Sequence, residues 1–226
     1  MKGKLVSEKT QWAIVSKELE TENIKVAYYD NILIPLLKNI EGKKVLDYGS
    51  GPGILALALK KLGADVKVWD ISKDMRKAAG IKIGKENVYE NLKYIPKNNF
   101  DVIICNLVLC INPESEVKRI VKRVHNLLKL KGTAFIGFCN PLIFDVPESR
   151  IDFRVQTENK YEKNHKYKKI KKEGNYEIIE DHRPIQWYEK VYAKSWLKLV
   201  KKHFTPEYMF KGRDVRDFVI FELTRC

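Results

Sequence analysis

The chain has 226 residues and a formal net charge of +14, from 43 Lys and Arg against 29 Asp and Glu, with 44% hydrophobic and 32% charged residues. That length and composition suit one globular domain with a full core and exclude a disordered or fibrous chain. No apolar run approaches the roughly 20 residues that span a bilayer, and the opening residues lead into a polar stretch rather than a secretory leader, so a cytoplasmic protein without membrane contact is expected.

Residues 7–40 carry two helically spaced apolar stripes, Trp12, Ile14, Val15 and Leu19, then Ile32, Leu33, Leu36 and Leu37, with Tyr28-Tyr29-Asp30 between them. The stretch VLDYGSGPG at 45–53 passes from a short apolar run into glycine-rich punctuation and then into a helical pattern: a strand, a tight loop and a helix start. Gly49, Gly51 and Gly53 remove side chains where a backbone must approach a ligand, and the next helix turns its free N–H groups to the same spot. A nucleotide-like cofactor fits such a loop, although a structural strand-to-helix turn has the same spelling. Residues 54–62 read as a helix closed by Gly63, and residues 64–70 as a strand ending in Asp70. A carboxylate about twenty positions past the glycine loop can accept hydrogen bonds from both hydroxyls of a ribose. Ser72 is placed to cap the following helix, with Met75 on its first turn.

The pattern weakens at 87–92 and returns at 100–106, a buried-strand run ending in Asn106. Residues 113–129 form an amphipathic helical pattern and 132–138 another strand. From 140 to 181 periodicity is lost, and a connection of that length is usually a functional lid or has structure of its own. Inside it, residues 160–172 interleave Lys with Tyr and His; they suit a solvated flap over a small acceptor, or a surface tracking a polyanion. Pro184 stands near the first turn of a helix expected to run to about His203, and 208–210 and 217–223 read as two terminal strands. Cys105, Cys110, Cys139 and Cys226 lie at unpatterned spacings, which reads as buried free thiols with no metal site.

VLDYGSGPG, with Asp47 ahead of the glycines, and VKVWDISKDM at 66–75 resemble the first two cofactor motifs of the class I S-adenosylmethionine-dependent methyltransferases, in particular the small-molecule type. The order Gly-x-Gly-x-Gly behind an Asp differs from the Gly-x-Gly-x-x-Gly of dinucleotide dehydrogenases. The resemblance covers residues 25–224 and implies a Rossmann-like α/β fold: a seven-stranded, mostly parallel sheet with helices on both faces, N-terminal helices and a cap insertion. It implies one domain over 1–226, made of a helical segment 1–40, a cofactor-binding core 41–139, an acceptor-binding insertion or lid 140–183, and a C-terminal helix with terminal strands 184–226. S-adenosyl-L-methionine is the implied cofactor. Gly49, Ser50, Gly51 and Gly53 would line its methionine and ribose side, Asp70 would take the ribose hydroxyls, and Asp47 would organise the loop from its base. Ile71 and Met75 join this set, Met75 near the adenine position or in the core; Glu90 and Asn91 are the candidates for a further adenine contact. Asn106 stands at the carboxyl edge of the sheet, where ligands gather at the switch in strand order.

The implied chemistry is an in-line displacement in which the protein supplies position and electrostatics. An amine or hydroxyl acceptor must lose a proton, and His182 is the best placed of the four histidines to take it, with Tyr188 and Tyr28 as further candidates and Arg183 available for an acidic group. In many small-molecule methyltransferases a leader tyrosine closes over the site; packing of Tyr28 against the sheet is the other reading. The expected acceptor is a small metabolite or natural-product intermediate, methylated at N, O or C, and the expected assembly a monomer or homodimer. The alternative is an RNA methyltransferase, or a non-catalytic relative that binds RNA through its lysines. The Asn-Pro-Pro-aromatic motif of base amino methyltransferases is missing after residue 105.

Overall fold

The computed structural model describes residues 24–37, 39–155, 160–172 and 176–226; the stripe of Trp12, Ile14, Val15 and Leu19 lies outside them. The core runs through α1 (Ile24–Leu36), β1 (Lys44–Tyr48), α2 (Ile54–Lys61), β2 (Asp65–Trp69), α3 (Lys73–Ile83), β3 (Phe100–Asn106), α4 (Glu114–Leu127) and β4 (Leu128–Cys139). There follow β5 (Asp152–Arg154), β6 (His165–Lys171), β7 (Tyr176–His182), α5 (Ile185–Lys194), β8 (Leu197–Phe204), β9 (Tyr208–Phe210), β10 (Arg213–Val215) and β11 (Phe218–Arg225).

The main sheet has the order β2-β1-β3-β4-β11-β8, with the first four strands parallel and β11 and β8 antiparallel. This is the expected Rossmann-like α/β architecture, with six strands among the described residues in place of seven. At the β2 edge a single parallel bridge, Val68 to Val88, stands where the seventh would lie. The polar sequence after Val88 has too few apolar side chains to extend a ladder, and short 3-10 turns flank it.

β3 is buried on both faces because helices cover both, which is why it reads as a continuous apolar run. One face carries α4 and α5, the other α1, α2 and α3. α4 shows how sequence places a layer: Val117, Ile120, Val121, Val124 and Leu127 recur at helical spacing and are all buried, while Lys118, Arg119 and Lys122 lie on the outer face. Among the described residues no helix is long and apolar enough to cross a membrane.

Two expectations are corrected. The last helix does not run to His203. It ends at Lys194, Trp196 takes a left-handed turn (φ 60°), and residues 197–204 pair with β11 as an edge strand. Leu197 and Leu199 face inward, and a bulge opposite Glu222 and Leu223 leaves Val200 exposed. His203 therefore lies in a strand, bonded to Glu222 Oε2 at 2.8 Å. Nor is the lysine-tyrosine run a solvated flap throughout. It forms β6 in a three-stranded antiparallel sheet, β5-β6-β7, and strand alternation sends Lys169 and Lys171 to the inner face, where both are buried. Lys169 Nζ pairs with Glu180 at 2.8 Å and Asp152 at 3.3 Å, and Lys171 Nζ with Asp152 at 2.7 Å. Arg154 adds a third buried cation, 3.7 Å from Asp152.

Candidate active site

A cavity of about 600 Å³ opens at the carboxyl ends of β1, β2 and β3. The chain leaves β1 toward β2 on one side and returns as β3 on the other, so the cleft sits at the reversal in strand order where open α/β sheets bind ligands.

The glycine loop forms one wall. Gly49, Gly51 and Gly53 have φ of 81°, 53° and 79°, a region that L side chains enter at a cost. The loop is fastened to the end of β2: the N–H groups of Gly49 and Ser50 donate to Trp69 O, and that of Gly51 donates to Asp70 Oδ2 at 2.9 Å. The Gly53 N–H donates to Ser50 O. With these four donors committed to protein acceptors, the loop itself is not a diphosphate cradle, in contrast to a dinucleotide site. A Cβ built on Gly49 would lie 2.4 Å from Val108 Cγ2, so glycine there lets the loop and the segment after β3 come together across the cleft.

Asp70 is buried, and its Oδ1 also accepts from the Ser72 N–H at 2.8 Å. Burial pushes its carboxyl above the usual range, opposed by the Ser72 and Gly51 amides and by Arg76. One bond per oxygen leaves acceptor capacity on both, the arrangement a vicinal diol requires. Ser72 caps α3, as expected, by accepting from the Met75 N–H at 3.3 Å. Arg76, which sequence reasoning missed, ties the rim together by donating to Asp70 O at 2.8 Å and pairing with Glu90 at 3.3 Å.

The opposite wall begins at Asn106. The next residue, Leu107, is left-handed (φ 57°) and donates its N–H to Gly137 O at 2.7 Å, which swings residues 107–111 over the cleft. Non-glycine strain of this kind is held in place only by surrounding structure. Tyr29 reaches in from α1 and donates its hydroxyl to Asn106 Oδ1 at 2.6 Å, above Gly137, where a Cβ would overlap the phenol. At the far side Tyr48 packs on Trp69 with ring centroids 4.8 Å apart and accepts from Arg123 Nη1 at 2.8 Å. Burial raises the Tyr48 phenol to about 12. The cap contributes Ile178 and Glu180.

Of the sequence-derived cofactor set, Asp47, Gly49, Ser50, Gly51, Asp70, Ile71, Met75, Glu90, Asn91 and Asn106 all line this one cavity. Gly53 does not. It precedes α2 and lets that helix approach α3, since a Cβ there would be 3.0 Å from Ala79. The catalytic candidates fare differently. His182 ends β7 away from the lining, with Nε2 donating to Tyr161 O at 2.8 Å and its ring among Phe144, Tyr161 and His165. Burial lowers its pKa. Tyr188 is also outside the lining, stacked on Phe138 at 4.3 Å, its buried phenol pushed up. Arg183 is spent on the carbonyls of Asn112 and Leu109 and on Asp181. The side chain of Tyr28 lies outside the described residues. The leader tyrosine in the cleft is Tyr29, and its spacing of four and eight from buried Leu33 and Leu37 was the available signal.

Residues 46–136 match a family model described as a methyltransferase domain. A ribosomal protein L11 methyltransferase of Dictyoglomus thermophilum is 38% identical over 90 residues, 36% of this chain and 30% of that protein. A ubiquinone biosynthesis O-methyltransferase of Psychrobacter arcticus is 38% identical over 111 residues, 45% of this chain and 42% of that protein. The matched region thus spans less than half the length of these curated relatives. The fold is shared over nearly the whole chain: the crystal structure of an S-adenosylmethionine dependent methyltransferase from Mesorhizobium loti aligns with a TM-score of 0.66 at 14% identity, covering 90% of this chain and all of that one. The glycine loop, Asp70 and the cleft between β1 and β3 all fall within or at the edge of residues 46–136, the stretch that is similar to a methyltransferase domain, and the chain around them shares the fold of the solved methyltransferase.

Proposed function

We propose that the chain transfers a methyl group from S-adenosylmethionine to a nucleophilic N, O or C atom of a small metabolite or natural-product intermediate. One observation carries this reading: a single cavity is lined both by the glycine loop and Asp70 and by the cap residues Ile178 and Glu180. The cofactor, when bound, supplies an electrophilic methyl on a sulfonium. The residues around it hold and orient. Asp70 accepts from the ribose hydroxyls, Gly49 and Gly51 keep the loop open to the methionine moiety, and Glu90 and Asn91 sit at the adenine rim. Asn106 and Tyr29 set the polar edge at the reacting end, and the cap residues Ile178 and Glu180 border the acceptor.

A small acceptor is favoured over RNA because the densest lysine run spends Lys169 and Lys171 on internal ion pairs, and because five carboxylates line the cavity against two guanidiniums. Phosphates would meet unfavourable charge inside the cavity. Calorimetric titration with S-adenosylmethionine and S-adenosylhomocysteine, with NAD as control and at two salt concentrations, tests the reading. Saturable binding of the first two alone supports it; a folded protein that binds neither refutes it.

A further inference from the structure

We propose that Glu180 selects the methyl acceptor, taking a hydrogen bond from an N–H or O–H of a small, largely apolar amine or hydroxyl compound. The inference rests on the methyl-transfer reading and assigns the acceptor end of the same cavity. Glu180 is the one ionisable side chain of the described cap sheet that lines the cavity. It is 2% exposed, and its partners stand behind it on β6: Oε2 accepts from Lys169 at 2.8 Å and from the Tyr167 hydroxyl at 2.9 Å. Among the described residues Oε1 accepts from the weakly donating Cys139 thiol at 3.5 Å and lies 3.7 Å from the Lys171 ammonium. A carboxylate offers about four acceptor positions, so Oε1 retains capacity while Oε2 is occupied.

The surroundings define what Glu180 would meet. Leu107, Cys110, Ile111 and Ile178 line the same cavity, with Asn106 and Asn112 as polar neighbours, and a few fixed polar groups in a largely apolar wall orient a ligand instead of attracting it broadly. An ionised carboxylate on the acceptor has no proton to donate to Oε1. Glu180 does not remove the acceptor's proton. Burial by itself would raise its carboxyl, but Lys169 and Lys171 hold it down to about 2, too acidic to take a proton near neutrality. It is a binding and orienting residue.

The test uses the S-adenosylhomocysteine-saturated protein and four probes, phenol, aniline, anisole and benzoate, followed by ligand-observed NMR. Phenol and aniline are expected to bind, anisole roughly tenfold more weakly for want of a donor, and benzoate more weakly still. Glu180→Gln should lose most of the preference for phenol over anisole while S-adenosylhomocysteine affinity is unchanged. Because that substitution removes the nearer of the two carboxylates paired with Lys169 and can unfold the cap, Ile178→Phe provides a second variant; it fills the same cavity without touching the ion pairs and should lose all four probes but keep S-adenosylhomocysteine. Equal binding of anisole and phenol, preferred binding of benzoate, or probe binding unaffected by Ile178→Phe overturns the inference alone. Failure to bind S-adenosylhomocysteine overturns the reading beneath it as well.

Discussion

Replacing Gly49 with alanine perturbs the loop where backbone and cavity wall meet. At φ 81° an L residue sits in the left-handed region, which costs about 1–2 kcal/mol. The added methyl would also lie 2.4 Å from Val108 Cγ2, far inside contact distance, and overpacking of that kind costs about 1–3 kcal/mol. Together they remove about 2–5 kcal/mol from a domain whose whole stability is about 5–15 kcal/mol. The two parts separate by a double-mutant cycle: Val108→Ala removes Cγ2, so Gly49→Ala/Val108→Ala should recover the overpacking part and retain the dihedral part. Urea denaturation of wild type, both single variants and the double variant measures this, and calorimetry with S-adenosylhomocysteine reads the site. Gly49→Ala should weaken that binding by roughly tenfold or more, since either the loop or residues 107–111 must shift into the cleft. A Gly49→Ala protein within about 0.5 kcal/mol of wild type and with unchanged affinity, or one to which Val108→Ala restores nothing, would refute the close approach.

Asp70→Ala removes the proposed ribose acceptor and the anchor of the Gly51 and Ser72 amides, so S-adenosylhomocysteine affinity should fall about 10- to 100-fold; a folded variant with native affinity would exclude the ribose role. Tyr29→Phe deletes the 2.6 Å bond to Asn106 and should cost about 0.5–1.5 kcal/mol by urea denaturation, and a variant as stable as wild type would show that the bond contributes nothing. Glu180 predicts acid sensitivity. Its folded carboxyl lies at about 2 against an ordinary 4.5, so its stabilisation is fully present above 4.5 and is lost as pH falls toward 2. The shift is worth about 3 kcal/mol at neutral pH, with about 2 kcal/mol gone by pH 3. The stability difference between wild type and Glu180→Gln should shrink by that amount on acidification, and a pH-independent difference would refute the assignment.

Local spacing alone located the elements of the parallel core, because each is written in a few consecutive residues. VLDYGSGPG specifies strand, loop and helix start; Gly63 ends α2; Ser72 caps α3; the apolar run ending at Asn106 coincides with β3. Ten of the eleven candidate cofactor residues line one cavity: the glycine loop and Asp70 because in a βα unit the ligand wall is the turn itself, whereas Met75, Glu90 and Asn91 were expected there from the resemblance to methyltransferases and not from spacing. Gly53 stands apart because a positive φ serves helix packing as readily as ligand approach.

The acceptor side was decided by tertiary structure. Residues 197–204 suit a helix by spacing and become a strand because β11 presents an open edge. The lysines of 160–172 look solvated in one dimension, and only pairing of β6 with β5 and β7 reveals that alternate ones meet Asp152 and Glu180 in the interior. His182 has the right chemistry for a base and the wrong address, since its strand directs it to Tyr161 instead of the cleft. Contacts within a few residues are carried by backbone geometry and can be read from spacing; contacts such as Tyr29 with Asn106, 77 positions apart, exist only after α1 has packed onto the sheet.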